Sequence, residues 1–244
     1  ALFLFTLFAP SPLVFVAFCL LALIIGAWEW TGLSELKKNV QKIAFVASTA
    51  VLMLLVAYMA GFIHFSGLDL IAVVEGQYFI QLLLSLGVAF WICMLAILLG
   101  YPKSQRLLNA RLTRLLMGAI LLVVAWVSLL YLRYQADGQF WVIYIVAVVA
   151  AADVGGYFFG KMFGSRKLAP LVSPGKTWEG FIGGLIVSQL LALGLFSYFS
   201  SSEQSPLPAL NVFLLVTALL AAVSVLGDLL ESLLKRGCGL KDSG

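Results

Sequence analysis

Apolar stretches about as long as a bilayer is thick recur along this chain, and they leave it few ways to fold. Residues 13–30, 43–65, 78–100, 115–132, 140–159, 178–199 and 209–227 carry almost no charge. A helix needs about 20 mostly apolar residues to cross the hydrocarbon. No water reaches backbone N–H and C=O groups at that depth, so each stretch must satisfy its own as a helix. An eighth, shorter stretch at 1–9 ends before Pro10-Ser11-Pro12. It reads as the remnant of a first helix and not as a signal peptide, because no basic segment or cleavage site accompanies it. Composition agrees: 63% of the 244 residues are hydrophobic, 11% are charged, and the mean hydropathy is +1.08. A soluble domain carries about 25% charge, and half of that cannot cover a globule in water. The expected fold class is an all-α integral membrane protein, a polytopic bundle of about eight transmembrane helices with the first one partial.

The cations divide by loop. Lys37, Lys38, Lys42, Lys103, Arg106, Arg111, Arg114, Lys161, Arg166, Lys167, Lys176, Lys235, Arg236 and Lys241 fall on one side of such a bundle, fourteen of the fifteen Lys and Arg. Only Arg133 falls on the other. The positive-inside rule makes the crowded side cytoplasmic. A wrong helix count would have scrambled this asymmetry. Two regions are expected: helices at 1–137, and a catalytic region at 138–244 that ends in a polar tail. No internal repeat of the kind many transporters carry is visible. Cys19, Cys93 and Cys238 have no spacing that suggests a disulfide framework or a metal cluster. The sole histidine, His64, reads as an interfacial residue, Trp28 and Trp30 as an aromatic belt, and Glu29 between them as a solvated charge.

Polar residues concentrate at two cytoplasmic helix ends. The first is the stretch from Asp153 to Thr177. Asp153 interrupts an apolar run, and an ionisable group at membrane depth costs about 2.5–3.5 kcal/mol on insertion scales. It is either a structural partner of Lys161, two turns on, or a group that touches substrate or metal. Gly156, Gly160 and Gly164 recur every four residues and suit close helix packing. In Ser173-Pro174-Gly175-Lys176-Thr177-Trp178, the Gly-Lys-Thr triplet is not a P-loop, since Pro170 stands where that motif needs glycine and no strand is expected before it. A helix start with free N–H groups nevertheless favours phosphate. Ser173, Gly175, Lys176 and Thr177 are therefore candidate phosphate contacts. The plainer alternative is a capped membrane helix with Lys176 at the headgroups.

The second end is Gly227 to Gly244. Asp228, Glu231 and Lys235 share one helix face, and Leu229, Leu230, Leu233 and Leu234 take the other. Two carboxylates one turn apart can hold Mg²⁺, a hard cation that takes oxygen ligands, water and substrate phosphates. Lys235, Arg236 and Lys241 can meet phosphate charge. The alternative is an interfacial amphipathic helix with Glu231 and Lys235 as a surface pair.

These blocks resemble a known family. Ser232-Leu233-Leu234-Lys235-Arg236, four residues, then Lys241-Asp242-Ser243-Gly244 is similar to the first part of the signature of phosphatidate cytidylyltransferases (CDP-diacylglycerol synthases). Ser173-Pro174-Gly175-Lys176-Thr177-Trp178-Glu179-Gly180-Phe181 and Asp153-Val154-Gly155-Gly156-Tyr157 look like two further blocks of the bacterial enzymes. The resemblance implies attack by the phosphate of phosphatidic acid on the α-phosphorus of CTP, with Mg²⁺ as cofactor and pyrophosphate as leaving group. It implies Asp228 as metal ligand, and Lys176, Lys235, Arg236 and Lys241 as phosphate cations. Asp242 is then a supporting or nucleotide contact, and Ser173 and Thr177 phosphate hydroxyls. Partners are CTP, phosphatidic acid and membrane lipids, with no nucleic acid; a homodimer is compatible. The implied place is the cytoplasmic (inner) membrane, with the site facing the cytoplasm. The family signature continues into His-Gly-Gly and Asp-Arg-x-Asp segments and a further helix, so a longer protein is expected. Two rival readings stand beside this: a proton- or cation-coupled transporter using Asp153 and Asp228, and a membrane lipid kinase using a nucleoside triphosphate.

Overall fold

The computed structural model describes residues 2–9, 11–63, 77–199 and 207–238. Helix dominates, as a chain solvated by lipid requires. The helices are α1 (Leu2–Leu7), α2 (Pro12–Leu33), α3 (Asn39–Met59), α4 (Gln77–Leu99), α5 (Gln105–Leu108), α6 (Arg111–Tyr134), α7 (Gly138–Phe163), α8 (Trp178–Phe199) and α9 (Leu210–Gly237). Seven of them are long and apolar enough to cross a membrane, and α1 is the short one that precedes them. Several run past the apolar stretch into charged sequence. Long Lys and Arg side chains at these ends reach polar surroundings while the backbone stays helical. The third helix instead ends early, at Met59. There Gly61 takes φ 77°, Phe62 N–H donates to Ala57 O at 2.9 Å and Gly61 N–H to Tyr58 O at 3.0 Å. That pair of bonds satisfies the last carbonyls and stops the helix.

The chain divides into two compact units, Ala1–Gln139 with Leu234–Gly244, and Phe140–Leu233. In the first, α6 packs against α2, α3 and α4. Trp126, Val127 and Leu130 of α6 are fully buried, and Trp126 Nε1 donates to Met53 O at 3.0 Å. Trp30 packs against α6: its Nε1 donates to Arg114 O at 2.8 Å, and a Cβ on Gly118 would run into its indole. The missing side chain at Gly118 makes room for that ring. Trp28 stays exposed, with Lys42 Nζ 5.6 Å over its ring. Arg114 is buried and donates to Glu35 Oε2 at 2.9 Å and to Cys238 Sγ at 2.8 Å. The Cys238 thiol donates in turn to Leu33 O at 3.0 Å. Burial pushes this thiol's pKa up and keeps it protonated, with Arg114 opposing.

The second unit holds α7, α8, most of α9 and a small hairpin. Its core joins Tyr144, Val148 and Ala152 of α7 with Ala192 of α8 and Phe213 and Ala221 of α9. The Tyr144 ring stacks on Phe213 at 4.8 Å, and its hydroxyl hydrogen-bonds Thr217 Oγ1. Ser188, fully buried, donates to Gly184 O at 2.8 Å. Buried hydroxyls in a membrane bundle need such partners, since lipid offers none. Asp153 does not interrupt α7. The helix runs on for ten residues to Phe163, because backbone bonds are indifferent to one side chain that finds polar surroundings.

Glycine sets how closely α7 and α8 approach. A Cβ on Gly180 would stand 2.8 Å from Gly156 O and 3.3 Å from Gly160 Cα, and one on Gly184 2.6 Å from Ala152 O. The packing role expected of Gly156 and Gly160 therefore has its counterpart in Gly180 and Gly184. Between these helices lies the departure from an all-helical pattern: β1 (Lys167–Ala169) and β2 (Ser173–Thr177) pair antiparallel, with Lys167 opposite Thr177 and Ala169 opposite Ser173. The sequence was expected to enter α8 without a strand.

Candidate functional site

The hairpin ends on Thr177, whose Oγ1 accepts from Gly180 N–H at 3.2 Å. That bond fills one of the orphan donors at a helix start, and α8 begins at Trp178. Glu179, one residue on, reaches back to the turn after α7. Its carboxylate accepts from Ser165 N–H at 3.1 Å, Ser165 Oγ at 2.9 Å and Arg166 N–H at 3.2 Å. The Arg166 guanidinium stands 3.7 Å away, and Trp178 N–H donates to Arg166 O at 2.9 Å. One carboxylate thus fastens the end of α7, the root of the hairpin and the start of α8.

So held, the hairpin delivers Lys176 to a cavity of about 410 Å³. Lys176 Nζ donates to Asp228 Oδ2 of α9 at 2.5 Å. Asp153, Tyr157 and Lys161 of α7, and Thr177, complete the polar wall. Ala152, Leu185, Ala221 and Val225 form an apolar wall. Gly156, Gly160, Gly180 and Gly184 line the space between, and Gly175 has nothing within 4 Å of where its Cβ would be. The result is a pocket with two ammonium groups, two carboxylates, a phenol and a hydroxyl beside an apolar floor.

Of the residues singled out in the sequence, Asp153, Gly175, Lys176, Thr177 and Asp228 meet at this cavity. Ser173 does not line it; it sits half-buried opposite Ala169 in the hairpin. Glu231 is exposed, and the carboxylate that shares the cavity with Asp228 is Asp153. Lys235 and Arg236 lie in the last turn of α9, where cations suit the helix dipole. Lys241 and Asp242, like His64, lie outside the described residues. Lys161 is not the partner of Asp153. Its Nζ donates to Tyr157 Oη at 3.4 Å and lies 5.6 Å over that ring. Tyr157 and Lys161 are cavity residues that sequence reasoning missed. The available signal was spacing, since 153, 157 and 161 form one helical stripe.

The model of the cytidylyltransferase family matches residues 1–244. Phosphatidate cytidylyltransferase of Haemophilus influenzae is 38% identical over 250 residues, covering 100% of this chain and 83% of the relative. The protein of that name from Pseudomonas aeruginosa is 37% identical over 219 residues, 90% of this chain and 73% of the relative. One from Staphylococcus haemolyticus is 40% identical over 129 residues, 51% of this chain and 47% of the relative. With a family match that leaves no residue outside it, and two relatives similar along 90% or more of its length, the chain belongs to the cytidylyltransferase family.

Proposed function

We propose that the chain transfers the cytidylyl group of CTP to phosphatidic acid, giving CDP-diacylglycerol and pyrophosphate. The observation that carries this is the cavity itself: two lysines and two carboxylates set among helices long and apolar enough to cross a membrane, in a chain of this family. A lipid phosphate can reach such a place without leaving the membrane, and a water-borne nucleotide can meet it there. The printed names of the relatives support the choice of phosphatidate as acceptor.

In the reaction, a phosphate oxygen of phosphatidic acid forms a bond to the α-phosphorus of CTP. The bond from that phosphorus to the β-bridging oxygen breaks, and pyrophosphate carries away the charge. Transfers of this kind ask a protein mainly for positioning and charge stabilisation. Lys176 supplies a cation on the hairpin, and Gly175 leaves the backbone beside it open to a phosphate. The Lys176–Asp228 pair holds both side chains in place until the nucleotide's phosphates compete for the ammonium. The family's Mg²⁺ fits the donor set: Asp228 and Asp153 give hard oxygens from two helices, few enough to leave room for water and phosphate. When bound, the metal would withdraw charge from the phosphates. The location that follows is the cytoplasmic membrane, with the cavity open to the cytoplasm; the charge asymmetry of the loops supports that orientation.

The test uses the full chain in lipid vesicles with CTP, Mg²⁺ and phosphatidic acid, reading pyrophosphate release. Release that needs both substrates and stops with EDTA is the expected result. No release from folded protein with CTP, or phosphorylated lipid formed from ATP, would overturn the reading.

A further inference from the structure

We infer that Tyr157 and Lys161 form the receptor for the phosphate headgroup of the lipid substrate, while Lys176 serves the nucleotide. The inference deepens the proposed reaction and rests on it. Two anions must be brought together for that reaction, and their mutual repulsion calls for a cation on each. The cavity holds two lysines. Lys176 already contacts Asp228, on the carboxylate side. Lys161 has no carboxylate in salt-bridge reach among the described residues; its contacts are the Tyr157 hydroxyl at 3.4 Å and the ring beneath it. A bond of that length leaves most of the ammonium's donor capacity open.

The surroundings of Lys161 point the same way. Tyr157 is 61% exposed while also lining the cavity. Its neighbours Val154, Phe158, Met162 and Phe163 are large, apolar and more than half exposed, on a helix long and apolar enough to cross a membrane. The phenol and ammonium therefore stand at an edge, with cavity on one side and lipid-facing surface on the other. A phosphomonoester on a diacylglycerol has that same division: acyl chains along the apolar face, phosphate turned inward to two donors. A lysine near a helix end often only snorkels to the headgroups. Lys161 differs in lining the pocket that also holds Asp153, Lys176 and Asp228.

The full chain in detergent micelles is assayed with dioctanoyl phosphatidic acid, varying that lipid and CTP separately. Binding of the same lipid without CTP is followed by calorimetry. Lys161→Ala is expected to raise the KM and the Kd for the lipid by about tenfold or more, the size of a lost charge-assisted contact, and to leave the KM for CTP near that of the wild type. Lys161→Arg restores most of the loss, and Tyr157→Phe gives a smaller loss of the same kind. Lys161→Gln, which keeps a polar N–H donor without the charge, is expected to behave as Lys161→Ala. An increase in the CTP KM with lipid binding unchanged would assign Lys161 to the nucleotide and overturn the receptor. Unchanged constants for both would reduce it to a snorkelling lysine. Wild-type protein that binds the lipid through Lys161 but releases no pyrophosphate would sink the proposed reaction and leave the receptor standing.

Discussion

Asp228 and Lys176 are 52 positions apart in sequence and in contact at 2.5 Å, with side chains 53% and 27% exposed. Exposed pairs of this kind contribute about 0–1 kcal/mol, so the contact is poor at holding the fold together and well suited to being exchanged for a ligand. Asp228→Asn should therefore leave the protein inserted and folded while removing turnover, checked by pyrophosphate release beside a membrane-extraction profile; wild-type turnover would dismiss the metal role. Lys176→Ala should raise the KM for CTP by about tenfold, the size of a lost charged hydrogen bond, with the lipid constant little changed. Both residues were legible before any coordinates. Asp228 ends an apolar run, where a carboxylate is costly, and Lys176 follows Pro174-Gly175 at a helix start. Tyr157 and Lys161 were not, because a lysine at the end of a membrane helix has an ordinary explanation in snorkelling. Only three dimensions show which side of the helix faces a pocket. The pairing of Asp153 with Lys161 failed on similar grounds: two turns of spacing aligns positions on a helix but says nothing of how far the long side chain swings away.

The elements that carry these residues were unevenly readable. The long helices follow from hydropathy, and α8, at Trp178–Phe199, begins and ends where apolar sequence does. The hairpin could not be read. Its strands are three and five residues long, β2 contains Pro174 and Gly175, and such composition reads as loop. What makes it a hairpin is a tertiary staple, the carboxylate of Glu179 on Ser165 and Arg166. Glu179→Ala should loosen that root and lower kcat/KM by about tenfold to a hundredfold, each removed acceptor bond counting about 1 kcal/mol. Glu179→Gln, which keeps an acceptor oxygen, should recover part of it. Hydrogen exchange over residues 164–176 should speed up in the alanine variant; unchanged exchange would place the effect of Glu179 elsewhere. The crossing of α7 and α8 sets a second element-scale expectation. Gly184→Leu forces bulk against the Ala152 backbone and should destabilise by about 1–3 kcal/mol or more, as overpacking does, read as a lower midpoint in thermal unfolding in detergent.

At the scale of the whole molecule, the side of the membrane is set by charge and not by packing. Cysteines placed at Lys38 and Lys103 of a variant lacking the native three should both be blocked by an impermeant thiol reagent from the same side. Blocking from opposite sides would break the eight-segment order. Composition made the fold class the most legible feature at this scale, because lipid solvation restricts the backbone to helices; the sidedness that the loop charges imply is what the labelling tests. The same molecule is uneven in what it can tolerate over generations. Exposed positions on a membrane-crossing helix, such as Leu190 and Ile186, ask only for an apolar side chain, so any of several replacements serves. At Gly180 and Gly184 every replacement adds at least a Cβ, and each would meet backbone atoms within 3 Å, atoms that cannot turn aside as a side chain can. Random drift in a lineage of such chains should therefore wear freely at the outer faces and stall along this one line of backbone contact, leaving a trace of the helix crossing beside the cavity even where the catalytic lettering had been lost.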